Sequence, residues 1–105
     1  MTMKQSKRQK LERNGWRVGN ASDFLGLSAE ESAYIEMKLA LSETLREERE
    51  KKKLSQVQFA RLIASSQSRV AKMEAADSSV SMDLLVKSLL ALGVARKKVA
   101  RALAA

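Results

Sequence analysis

Residues 56 to 75 read QVQFARLIASSQSRVAKMEA, and the fold follows from how this stretch is divided. Gln56 to Ile63 is one short helix, Ala64-Ser65 a tight turn, and residues 66 to 73 a second short helix. Phe59, Ala60 and Ile63 share one apolar face of the first helix, and Val70 and Met73 one face of the second. Ser55 is placed to cap the first, and Ser65 or Ser66 the second. A small residue is needed at Ala60, where the second helix crosses close by. Gln67, Ser68, Arg69 and Lys72 project from the opposite side of the second helix, beginning at its N-terminal end. These side chains can hydrogen-bond base edges in a major groove or phosphate oxygens beside it. Ser66 stands at the same end. Gln56 and the free amides around it can lie against a sugar-phosphate backbone.

Outward from this unit the helical pattern continues. Ser28 with Glu31 three residues later forms a capping-box pattern, with Leu27 available as half of a hydrophobic staple. The helix it opens is predicted from Ala29 to about Lys52. Tyr34, Met37, Leu41 and Leu45 form an apolar stripe predicted to face the core, any leftover edge being available for dimerisation, with Ile35 and Leu39 beside it. Glu47 and Glu48 precede Lys51 and Lys52 at the spacing of exposed ion pairs. Ser81 caps an apolar helix, Met82 to Leu92, that Gly93 ends in a left-handed conformation. Val94 to Ala105 is a fifth helix, buried on Val99 and Leu103, with no capping residue ahead of it. No stretch alternates as a strand would, so the fold class is all-α with five helices. We expect residues 1–22 to form a basic tail and residues 23–105 the domain.

Composition narrows the chemistry. The 105 residues include no Cys, no His and no Pro. Thiolate and imidazole metal sites, a histidine base and a cysteine nucleophile are therefore excluded. No glycine-rich phosphate loop or activated serine is present, and we expect no enzyme activity, no catalytic or metal-binding residues and no cofactor. No apolar run reaches membrane-spanning length or follows the N-terminus as a signal, so a cytoplasmic protein is expected. The net charge of +8 is uneven. Residues 1–22 hold six basic residues and one acidic, and residues 96–105 hold four basic and none acidic. Residues 51–73 carry Lys51, Lys52, Lys53, Arg61, Arg69 and Lys72 with no acid. A basic block over the reading unit is the footprint of a phosphate-backbone binder. Lys51, Lys52 and Lys53 read equally as phosphate contacts or as a solubilising run.

Taken together, Leu54-Ser55-Gln56, Phe59-Ala60, Ser66-Gln67, Val70, Met73 and Glu74, followed by AADSSVSMDLLVKSLLALG, resemble the helix-turn-helix of the Xre/Cro family over about residues 35 to 92. Two positions depart from that pattern. The family's turn glycine is Ala64 here, and the apolar residue after it is Ser65. The turn must then hold a Cβ in the left-handed region, at a cost of roughly 1 kcal/mol, or take another geometry. The segment from Gly15-Trp16-Arg17-Val18-Gly19 through the first helix is similar to single-domain HigA-type antitoxins. That resemblance implies a dimeric autorepressor of a double-stranded DNA operator that also sequesters a RelE/ParE-like toxin.

Three functions compete on this reading. The first is a sequence-specific transcriptional regulator acting as an antitoxin, with a Cro-type phage or prophage repressor as its variant. The second is a protein-binding module for toxin capture, in which Trp16 and Val18 anchor the partner; a tryptophan docked on its own domain is the plainer alternative. The third is a general nucleic-acid binder using the basic ends.

Overall fold

A computed structural model describes residues 28–104; residues 1–27 and 105, which include the basic tail, Trp16, Val18 and the Leu27 staple, lie outside the described residues. Among the described residues five helices follow in order: α1 (Ala29–Lys51), α2 (Gln56–Leu62), α3 (Gln67–Glu74), α4 (Met82–Ala91) and α5 (Arg96–Ala104). The all-α, Xre/Cro-like arrangement agrees with the sequence reading.

Each start is written locally. Ser28, Ser55, Ser66 and Ser81 sit in extended backbone, and each hydroxyl accepts a hydrogen bond from the amide three residues on. At Ser55 the capping box is complete, because the Ser55 amide also donates to Gln58 Oε1 at 2.7 Å. Glu30 and Glu31 in the first turn of α1, and Arg49 and Lys51 in its last, complement the helix dipole.

The stops repeat one device. Lys53, Ala64, Ala76 and Gly93 all have positive φ, at 56°, 52°, 55° and 96°. The amide after each donates back to a carbonyl five residues earlier: Leu54 to Arg49, Ser65 to Ala60, Asp77 to Lys72 and Val94 to Leu89. This is the Schellman closure, and only the last of the four has the glycine it favours. Ala64 therefore does hold its Cβ in the left-handed region. Ala64→Gly is expected to raise stability by about 0.5–1 kcal/mol, since Ala64 is exposed and gives up little packing. A denaturant midpoint at or below that of the wild type would refute this account of the turn.

α1 is the spine, with α3, α4 and α5 packed against it, while α2 packs on α3. Leu41 and Leu45 share one buried cluster with Phe59, Ala60, Val70 and Met73 of the two short helices and with Val80, Leu85, Leu89, Leu92, Val94 and Val99 that follow them. Ile63 and Leu103 pack against this core while half-buried. Ala60 is 3% exposed, as the close crossing of α2 and α3 requires.

Tyr34 departs from expectation. It is 47% exposed, and the buried residues of α1 begin only at Lys38. The apolar stripe keeps its direction along α1, and among the described residues its burial begins only at Lys38. Glu48 departs too. It takes Lys51 at 3.6 Å but is also hydrogen-bonded by Lys98 of α5, so it joins two helices where an exposed surface pair was expected. The Lys98 hydrogen bond holds the Glu48 carboxyl below its ordinary range. Lys38, a buried cation, donates to the Ser78 carbonyl at 3.4 Å and so ties α1 to the loop after α3. Burial pushes its ammonium below the usual lysine range, partly offset by Asp77.

Candidate nucleic-acid interface

The candidate surface is built from α2, α3 and the loop that follows. Val70 and Met73 turn inward at 0% exposure, which fixes the rotation of α3 and leaves Gln67, Ser68, Arg69 and Lys72 exposed along its outer side. Ser66 is the N-cap, and its hydroxyl accepts from the Arg69 amide at 3.1 Å. Of the two serines that could have capped α3, Ser66 does so.

Gln67 and Gln56 are joined directly. Gln67 Nε2 donates to Gln56 Oε1 at 2.6 Å, and Gln56 Nε2 donates to Glu74 Oε1 at 3.2 Å. Glu74, 5% exposed, is gripped by Arg49 of α1 through Nε at 2.5 Å and Nη2 at 3.0 Å. Arg49 also donates from Nη1 to the Leu54 carbonyl at 2.7 Å. A single chain of polar contacts thus runs from the end of α1, under both short helices, to the outermost amide on α3. It holds the Gln67 amide with its Oε1 and one N–H still to offer, the pair that suits an adenine edge. The Glu74 hydrogen bond raises the Arg49 guanidinium above its already high value, so the arginine side of the latch stays charged.

Beside α3 lies a cleft of about 310 Å³. Ser66, Ser68, Arg69 and Lys72 form one wall, and Ser79 and Ser81 from the following loop form the other. Two cations and the hydroxyls of Ser66, Ser68 and Ser81 suit the oxygens of a sugar-phosphate backbone. Asp77 shapes that loop by accepting from the Ser79 amide at 2.9 Å and the Ser79 hydroxyl at 2.6 Å. These bonds keep its carboxyl below the ordinary range.

A helix-turn-helix family model matches residues 45–103. The chain belongs to the helix-turn-helix family. The match spans all of α2 to α4 and nearly all of α5, so the family unit extends further toward the C-terminus than the resemblance read from the motif. It is of the Xre/Cro type, a family of DNA-binding transcriptional regulators. No curated protein and no solved structure matches the chain. Among the described residues, no helix is long and apolar enough to cross a membrane.

Within this helix-turn-helix domain the structure brings Gln56, Ser66, Gln67, Ser68, Arg69 and Lys72 to one surface. Lys51, Lys52 and Lys53 are exposed at the end of α1, just before α2 begins. They are not equivalent, because Lys51 is paired with Glu48. Sequence reasoning missed Ser79 and Ser81 on the far wall of the cleft, and it missed the Arg49–Glu74 latch. The one available signal for the latch was Glu74 itself, an acid directly after the buried Met73.

Proposed function

We propose that the protein is a sequence-specific repressor that binds a double-stranded DNA operator as a homodimer. The observation that carries this reading is the Arg49–Glu74–Gln56–Gln67 chain, which fixes a base-reading amide at the N-terminal end of an exposed, basic α3. Gln67 and Ser68 read base edges, while Arg69 and Lys72 contact a guanine edge or the flanking phosphates. Gln56 and the α2 amides lie on the backbone, and Ser66, Lys52 and Lys53 add phosphate contacts. Two copies would present α3 to successive major grooves about 34 Å apart on a palindromic site.

The decisive measurement is a mobility-shift titration of the Arg69→Ala/Lys72→Ala variant against the DNA upstream of its own gene. Loss of two such contacts is expected to weaken binding by 2 kcal/mol or more, roughly thirtyfold, at fixed salt. Unchanged affinity and site preference would remove α3 as the reading helix.

The finer reading is a type II antitoxin that represses its own operon and neutralises a RelE/ParE-like toxin. It is supported by the likeness of residues 15–47 to HigA-type antitoxins, with Trp16 and Val18 as candidate toxin contacts. The product of an adjacent small reading frame should co-purify with the full chain and not with a chain lacking residues 1–22. Failure to bind the full chain would dispose of that partner.

A further inference from the structure

We infer that the exposed basic face of α5, together with the lysines that end α1, is a second phosphate-backbone contact, gripping duplex DNA outside the bases that α3 reads. The inference rests on the operator-binding reading above and adds a surface to it.

The cations of α5 are placed against local helix energetics. Arg96, Lys97 and Lys98 occupy its first turn with no acid among them, at the end where the helix dipole repels positive charge. α1 and α4 do the opposite, with Glu30, Glu31 and Asp83 in their first turns. Lys97 and Arg101 are also four residues apart on one exposed strip, an unfavourable like-charge spacing. The apolar side of α5, through Val99, is already buried in the core, so packing does not require these charges. Glu48 is the carboxylate that serves this region, and it is shared by Lys51 and Lys98. Among the described residues, Lys52, Lys53, Arg96, Lys97 and Arg101 form no salt bridge. What they lack is a polyanion.

Position says which polyanion. Glu48 and Arg49 are neighbours on α1: Glu48 holds α5 through Lys98, and Arg49 holds α3 through Glu74. One turn of the spine thus carries the reading helix on one side and the basic helix on the next. Two helices packed on adjacent sides of a third, each about 9 Å from its axis, lie on the order of 14 Å apart. That separation is well inside one turn of duplex of about 34 Å. Lys52 stands at the α5 side, with its Nζ 3.8 Å from where a Cβ would stand on Gly93, just before α5, and it precedes by four residues Gln56, which Gln67 hydrogen-bonds. The positive band therefore leads from α5 through Lys52 and Lys53 to the start of α2, which favours the backbone of the same duplex over an acidic protein surface.

The test compares wild type, Arg96→Gln/Lys97→Gln/Arg101→Gln and Arg69→Ala/Lys72→Ala. Binding is followed by fluorescence anisotropy between about 50 and 200 mM salt. The probes are two duplexes of about three helical turns, one from the DNA upstream of its own gene and one of scrambled sequence. The α5 variant removes cations from a helix N-terminus, so it should melt no lower than wild type, and a binding loss is then not unfolding. On both duplexes its slope of log affinity against log salt should be shallower by about two to three, with the affinity ratio between the duplexes kept. An unchanged slope overturns the inference, and so does a loss confined to the upstream duplex. If Arg69→Ala/Lys72→Ala leaves the ratio untouched, or wild type shows no preference, the reading assigned to α3 fails instead, and the slope still reports on α5.

Discussion

Replacing Arg49 with Met should destabilise the protein by about 3–5 kcal/mol in urea denaturation, the range for a buried ion pair broken from one side. Arg49 and Glu74 side chains are only 12% and 5% exposed. The guanidinium supplies two of the three side-chain hydrogen bonds that Glu74 accepts, the third coming from Gln56 at 3.2 Å. Without it a carboxylate is left in the interior with one neutral amide for company. The long Met side chain keeps the packing of the arginine stem, so the loss reports charge rather than a cavity. The double variant Arg49→Met/Glu74→Met should recover most of the stability, because it removes the stranded charge as well. A single and a double variant both within 1 kcal/mol of wild type would mean that the pair is not buried in solution.

Phe59→Ala should cost a similar 3–5 kcal/mol, here for a different reason. Phe59 is 0% exposed and is the buried aromatic of the described core, since Tyr34 is exposed. It belongs to one buried cluster with Leu41, Leu45, Val70 and Met73, drawn from α1 and the two short helices. Truncation removes apolar burial and leaves a cavity that these helices cannot close without moving α2 from under α3. Domains are stable by roughly 5–15 kcal/mol, so most of the margin would go. At about 4–8 °C per kcal/mol, the melting temperature should fall by more than about 12 °C. Phe59→Leu, which keeps more of the volume, should cost less than half as much. A Phe59→Ala melting curve within a few degrees of wild type would show that the core is organised around other residues.

The parts of the fold that were legible are those encoded over three to five residues. Ser28, Ser55, Ser66 and Ser81 announce helix starts because a hydroxyl and an amide three residues apart need nothing else. Ala60, Val70 and Met73 announce which faces of α2 and α3 turn inward, and their complement is the exposed set Gln67, Ser68, Arg69 and Lys72. Periodicity gave the direction of the Tyr34 stripe and not the length of what covers it, so Tyr34 was misplaced. The polar ties that orient the site were illegible for another reason. Arg49–Glu74, Lys38–Ser78 and Glu48–Lys98 join residues 25, 40 and 50 apart. Nothing in helical spacing pairs them, and each looks on its own helix like an ordinary surface charge. The positive φ at Ala64 was foreseen as one of two outcomes, and the helix-turn-helix geometry took it in preference to changing the turn.

The way α3 is closed has a consequence for how it would meet a partner. At eight residues it is far too short to persist as an isolated helix in water. Here Ser66 seals its first turn, Ala76 and Asp77 seal its last, and Gln56 steadies the side chain of Gln67. The conformational entropy of ordering this segment is met during folding, and little of it is left for the moment of association. Docking of a surface prepared in this way is a rigid-body event. Its heat-capacity change would then reflect the area covered, with no added contribution from a helix forming on contact.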